Sequence, residues 1–166
     1  RIVASGERVA AIYVTTLRRT HQTAAPTAAR IGIEPRVEPD LREVFLGEWE
    51  GGELRRRVID ADPIAVRMYQ EGRWDVIPGA ETEDALRARV RAGIDRIAAA
   101  HPDELVMVVV HGGVIGTIMN LATGSTGFAF TGADNASISR LVVAGDRWII
   151  RGFNDVAHLP EVEPDR

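Results

Sequence analysis

With 166 residues, 45% of them apolar and 27% charged, the chain has the length and balance of a single globular domain spanning positions 1–166. A formal net charge of −4 speaks against nucleic acid or an anionic membrane as the main partner. The absence of cysteine excludes disulfides and thiolate metal sites and fits a cytoplasmic protein, and no apolar run is long enough to span a bilayer.

In chain order, "RIVAS" opens on Arg1 and reads like the tail of a helix, so the expectation is an N-terminally incomplete domain. Val9 to Thr15, "VAAIYVT", is a short β-rich run that reads as a buried strand. "HQTAAPTAARIGIEP" reads as a helix with Thr23 as its cap, Pro26 in its first turn and Gly32 as its stop. A brief strand over Arg36 to Glu38 precedes the loop "PDLREVFLGEWEGG". Glu53 to Gln70 is charged and helical in pattern, and "EGRWDVIPGAE" is a loop.

Thr82 is a good N-cap, Glu83 and Asp84 suit a first turn, and Leu86, Val90, Ile94 and Ile97 mark one apolar face. Leu105 to Val110 reads as a strand buried on both faces, which implies a parallel sheet covered by helices. A helix after Gly113 carries Ile115, Ile118, Met119 and Ala122. "SISRLVV" and "RWIIRGF" flank "AGD" as a hairpin. The prediction is an α/β class: a three-layer α/β/α sandwich around a mostly parallel sheet with an antiparallel edge hairpin, its first strand missing.

Three places carry candidate chemistry. His111 stands at the end of the apolar strand, where ligands sit in open α/β sheets, and Gly112 and Gly113 lead from it into a helix whose N–H groups attract anions. The register "HGGVIG" partly matches a dinucleotide fingerprint, but His111 replaces the first glycine. "YVTTLRRTHQTA" puts Thr15, Thr16, Arg18 and Arg19 just after a strand, a composition suited to clamping oxyanions or simply to a solvated arginine pair. "LREVFLGEWEGG" offers Glu43, Glu48 and Glu50 among apolar residues, where a carboxylate can have a raised pKa and act as a general acid.

Taken in this order, the segments resemble the histidine phosphatase superfamily, also called phosphoglycerate mutase-like. "YVTTLRRTHQTA" is similar to its Ser-Pro-Leu-x-Arg-Ala-x-x-Thr-Ala segment, with Leu17, Arg19, Thr23 and Ala24 matching and Thr15 and Thr16 in place of Ser-Pro. "LREVFLGEWEG" resembles its acidic segment, "PGAETEDALRARV" its Gly-Gly-Glu-Ser segment, "VVVHGGVI" its second histidine motif and "FNDVAHL" its closing segment. The resemblance implies that Arg19 holds a phosphoryl group, Glu43 protonates the leaving oxygen, and His111 donates a hydrogen bond to the phosphoryl oxygens, with Gly112 beside the phosphate. It also implies that Glu81 and Arg89 form a structural ion pair and that His158 is structural. His21 and His101 match no motif and read as surface residues.

Two departures qualify the resemblance. The family's nucleophile lies in an Arg-His-Gly motif, and none occurs here; Gly116 stands where many members have arginine. The expectation is a metal-independent phosphatase acting on a small phosphorylated metabolite through a phosphohistidine in the complete protein. It uses no cofactor, admits a homodimer, and is inactive as the present fragment. Arg55, Arg56, Arg57 and Arg67 could favour a polyanionic substrate or merely form a basic solvent face. The alternatives are mutase-type phosphoryl transfer, a non-catalytic phosphate-binding domain, and a metal-dependent hydrolase built on His111 and His158.

Overall fold

The computed structural model describes residues 2–160. In chain order it runs β1 (Val9–Val14), α1 (Arg18–Ile31), β2 (Arg36–Val37), α2 (Glu53–Ile59), α3 (Pro63–Glu71), α4 (Glu83–Ala100), β3 (Leu105–Val108), α5 (Gly112–Thr123), β4 (Ile138–Ala144) and β5 (Arg147–Asp155). Short 3-10 turns occupy Val3–Ser5, Pro39–Leu41, Gly47–Gly52 and Trp74–Val76. β2, β1 and β3 form a parallel sheet in that order, and β4 and β5 form an antiparallel sheet of their own. Among the described residues no helix is long and apolar enough to cross a membrane.

The middle strand separates two cores because its side chains alternate. Ile12 and Val14 pack with Ala24 and Ala28 of α1, while Ala11 and Tyr13 join Leu86 and Val90 of α4 and Val114 and Ile118 of α5. Val9 belongs to the α1 side despite its odd position. The register against β3 slips between Val9 and Ala11, and one extra residue in β1 reverses the alternation there.

Three expectations change. β3 is not buried on both faces: Leu105 is 41% exposed and Val106 to Val110 are only partly buried. Among the described residues β3 pairs with β1 alone, so an apolar run meant for a central strand sits at a sheet edge. α1 begins five residues before Thr23, leaving Pro26 inside the helix, where it forfeits one backbone hydrogen bond. Thr23 is no cap; its hydroxyl donates to the Arg19 carbonyl at 3.0 Å. The helix survives because Ala24 and Ala28 pack closely on β1. Finally, the charged stretch after Glu53 is two helices, broken before Asp62, whose side chain accepts the Ile64 N–H and caps α3 with Pro63 in its first turn.

Other elements form as their residues dictate. Thr82 accepts the Ala85 N–H at 3.2 Å and caps α4, whose Leu86, Val90, Ile94 and Ile97 are buried. The C-cap of α1 is Gly32, in the left-handed conformation that helix ends favour, with its N–H on the Ala28 carbonyl. β4 and β5 turn tightly between Ala144 and Arg147 and lay Trp148, Leu141, Val143 and Ile150 against the α4–α5 core.

Candidate active site

Parallel pairing brings the carboxyl ends of β1 and β3 side by side, and the Tyr13 carbonyl accepts the Val109 N–H at 2.8 Å. Each strand then turns directly into a helix, so Thr15 and His111, 96 positions apart, meet with Oγ1 2.9 Å from Nε2. Arg19, in the first turn of α1, donates from Nε to His111 Nδ1 at 3.1 Å. His111 as a whole is only 6% exposed. Its burial, and then the charges of Arg19, Arg42 and Arg89, push its pKa down to about 4, so it is neutral at physiological pH.

Glu43 arrives from the loop after the Pro39–Leu41 turn. The Val44 N–H donates to its Oε1 at 3.0 Å, and the N–H groups of Gly113 and Val114, in the first turn of α5, also serve its carboxylate. Burial raises the Glu43 pKa, outweighing those hydrogen bonds and the charge of Arg19. A carboxyl with a raised pKa beside an arginine can hold a proton and pass it on.

The Glu43 loop is held by a guanidinium. Arg89 pairs with Glu81 at 2.5 Å and donates from Nη1 to the carbonyls of Asp40 and Arg42, each at 2.7 Å. Glu81 in turn accepts the Phe45 N–H at 2.8 Å, so both partners of the expected ion pair grip the same loop. Arg42 reaches from that loop to Thr16 Oγ1 at 3.1 Å, tying it to the end of β1.

Arg19, Glu43 and His111 therefore come together, with Thr15 against His111 and Gly113 against Glu43, and the two other glutamates of the loop do not join them. Glu48 is exposed, and Glu50 turns back to accept the Leu46 N–H. Arg18 is exposed. The Thr15 hydroxyl, expected to face an oxyanion, is instead completely buried between His111 and Thr20, because the strand end tucks under α1. Gly112 has open space where a side chain would stand. Gly113 is the glycine the geometry demands: a Cβ there would lie 2.7 Å from Val44 Cγ2 and 2.8 Å from Glu43 Oε1.

The remaining histidines divide. His21 is exposed, with Nε2 at the Thr15 carbonyl. His101 is no surface residue: its side chain is 8% exposed and lies between Tyr13 Oη at 3.1 Å and Glu104 at 2.8 Å. Packing below β1 buries a residue that no motif singles out. His158 has a buried Nδ1 without a hydrogen-bond partner. Arg56 and Arg67 pair with Glu53 and Glu71 on their own helices, and Arg57 with Asp62 at the cap of the next one, which favours the solvent-face reading of that basic segment. Among the described residues no group of three or more His, Asp or Glu side chains is arranged to hold a metal ion.

Sequence reasoning alone missed the Thr15–His111 contact and the seating of Glu43 on Gly113. Only the placement of Thr15 and His111 at two strand ends hinted at the first.

Comparison with known proteins bears on this geometry. The family described as "Histidine phosphatase superfamily (branch 1)" matches residues 3–156. An Arabidopsis thaliana phosphoglycerate mutase-like protein 4 is 32% identical over 158 residues, covering 93% of this chain and 68% of that protein. A metal-independent phosphoserine phosphatase of the same plant is 31% identical over 160 residues, covering 94% and 66%. The chain thus spans about two thirds of the length of these relatives. In three dimensions it is similar to a mycobacterial glucosyl-3-phosphoglycerate phosphatase bound to inorganic phosphate, with a TM-score of 0.78 and 25% identity, covering 96% of this chain and 83% of the other.

Proposed function

The chain belongs to the histidine phosphatase superfamily, and we propose that its pocket binds the phosphoryl group of a phosphomonoester for metal-independent hydrolysis. The observation that carries this reading is the convergence of a guanidinium, a buried imidazole and a protonatable carboxyl at the ends of two parallel strands. Arg19 neutralises the phosphoryl oxygens, and His111 bonds to them. Such preorganised charge is the main service a protein performs in phosphoryl transfer.

In a protein that also supplies the family's nucleophilic histidine, the imidazole nitrogen bonds to phosphorus as the ester P–O bond breaks. The departing oxygen takes the Glu43 proton. Water then gives its proton to the Glu43 carboxylate and its oxygen to phosphorus, the N–P bond breaks, and inorganic phosphate leaves. Relatives named as phosphatases support hydrolysis over mutase transfer.

The 166 residues contain no Arg-His-Gly segment. By itself the chain is therefore expected to bind phosphate without turnover. Hydrolysis of p-nitrophenyl phosphate by the purified chain tests this, and substantial release of p-nitrophenol would overturn the assignment of the nucleophile. Inorganic phosphate should bind the chain and bind Arg19→Met at least about tenfold more weakly, as loss of a charged hydrogen bond implies.

A further inference from the structure

The hydrogen-bonding atoms around the His111 ring locate its proton. Arg19 Nε is a donor and never an acceptor, so His111 Nδ1, 3.1 Å away, presents a lone pair. On the other side, Thr20 Oγ1 donates to the Leu17 carbonyl at 2.8 Å and accepts the Thr15 N–H at 3.1 Å. With its own proton committed, Thr20 Oγ1 is available to accept the Thr15 hydroxyl proton across 3.3 Å. Thr15 Oγ1 also accepts the Leu17 N–H at 3.2 Å, and its remaining lone pair faces His111 Nε2 at 2.9 Å. The Arg19 contact decides the tautomer, with the lone pair on Nδ1 and the proton on Nε2, and the Thr15 side is able to accept that proton.

That tautomer suits an empty pocket and opposes a filled one. A dianion drawn to Arg19 pulls the guanidinium away from Nδ1 and sets oxygen lone pairs against a nitrogen lone pair. We propose that Thr15 is a positioning residue that holds His111 through Nε2–H in both charge states, so that binding of a tetrahedral dianion brings uptake of one proton at Nδ1. The inference rests on the phosphoryl-pocket reading above. A hydroxyl suits this task because it accepts from imidazole and imidazolium alike. A carboxylate in its place would hold the ring cationic with or without a ligand.

The charged groups facing the ring are Arg19 from α1, Arg42 from the loop after β2, and Arg89 from α4. Glu43, from the same loop as Arg42, shares the charge of Arg19. His21 meets Thr15 only at its carbonyl. Three arginines and burial keep the free ring neutral, and a bound dianion reverses the local field and favours the imidazolium. Dianion affinity then falls as pH rises through the pKa of the bound ring.

Sulfate, a dianion throughout the neutral range, is the probe. Calorimetric titration near pH 6 in two buffers of different ionisation heat counts the protons taken up per sulfate. The wild-type chain and Thr15→Ser are expected to take up close to one. Thr15→Val should take up none and bind at least about tenfold more weakly. Glu43→Gln should retain the uptake, which separates the ring from the other titratable group in the pocket. Nitrogen-15 spectra of wild-type His111 test the tautomer without any substitution, with Nε2 alone protonated in the free chain and both nitrogens protonated with sulfate. Nδ1 protonated in the free chain, uptake lost in Glu43→Gln, or unchanged uptake in Thr15→Val would overturn the proposal. Sulfate bound without proton uptake overturns this inference alone, whereas no binding removes the pocket reading as well.

Discussion

His111 and Glu43 reach the neighbourhood of Arg19 by different routes. His111 ends a strand, and its contacts come from the adjacent strand and the helix that follows it. Glu43 rides on a loop, and its position depends on Arg89, reaching in from α4 to donate to the carbonyls of Asp40, Arg42 and Glu43 itself. The sheet sets the first residue's place, and a side chain from another helix sets the second's. A strand-end residue should therefore tolerate the loss of a distant partner, while a loop residue should not.

The largest expected effect breaks the loop's support. Arg89→Met leaves Glu81 unpaired and the Asp40 and Arg42 carbonyls without their donor, in a pair only 21% and 14% exposed. Removing one partner of such a pair costs about 3–5 kcal/mol, to be read as a lower urea midpoint. Arg89→Lys should recover little, because an ammonium cannot span both carboxylate oxygens and two carbonyls at once. His111 loses only one of the three charges that face it, so its ring should stay neutral near pH 7 in Arg89→Met, with nitrogen-15 resonances of a neutral imidazole, while the environment of Glu43 changes.

Acid sharpens the same contrast through opposite signs. The His111 pKa of about 4 lies below its ordinary 6.5, so between those values the unfolded chain binds more protons than the native one. Its contribution is complete above the ordinary value and is lost as pH falls towards 4, by at most about 3 kcal/mol. Glu43, with its pKa raised above 4.5, does the reverse: its contribution is present below 4.5 and is lost as pH rises through its raised folded value. Urea unfolding at pH 7 and pH 4.5 should show a flatter acid loss in His111→Gln and a steeper one in Glu43→Gln. An unchanged pH profile in both would mean that neither group is buried as described.

The smallest effect compares two neighbouring glycines. Gly113→Ala drives a methyl group into Val44 and the Glu43 carboxylate, an overpacking worth about 1–3 kcal/mol, and it should also displace Glu43. Gly112→Ala meets nothing within 4 Å and should change stability by no more than about 0.5 kcal/mol. Equal melting curves for the two variants would contradict the seating of Glu43 on α5.

Much of the fold is legible where local chemistry decides. Thr82 and the apolar spacing of Leu86, Val90, Ile94 and Ile97 announce α4, and Gly145 lies in the turn between β4 and β5. Pro26 misleads, because intrinsic preference places a helix start near it and burial of Ala24 and Ala28 overrides that preference. The valines of β3 mislead in another way: an apolar run records that a strand wants cover, and only its neighbours determine how much it gets. In the site, Arg19, Glu43, His111 and the Glu81–Arg89 pair are legible through motif order. Thr15 as a partner of His111 and Gly113 as the seat of Glu43 are not, since each depends on a residue tens of positions away.

By itself, the chain's order of residues determined the alternation of strands and helices, the capped helix α4 and the motif order of Arg19, Glu43 and His111. These follow from interactions within a few residues of each other, such as a hydroxyl on an N–H or an apolar stripe at helical spacing. Tertiary structure alone decided which hydroxyl meets the imidazole, which ring nitrogen faces the guanidinium and which glycine admits the carboxylate. Those outcomes turn on separations of about 3 Å between atoms from different elements, and such separations arise only when the elements pack.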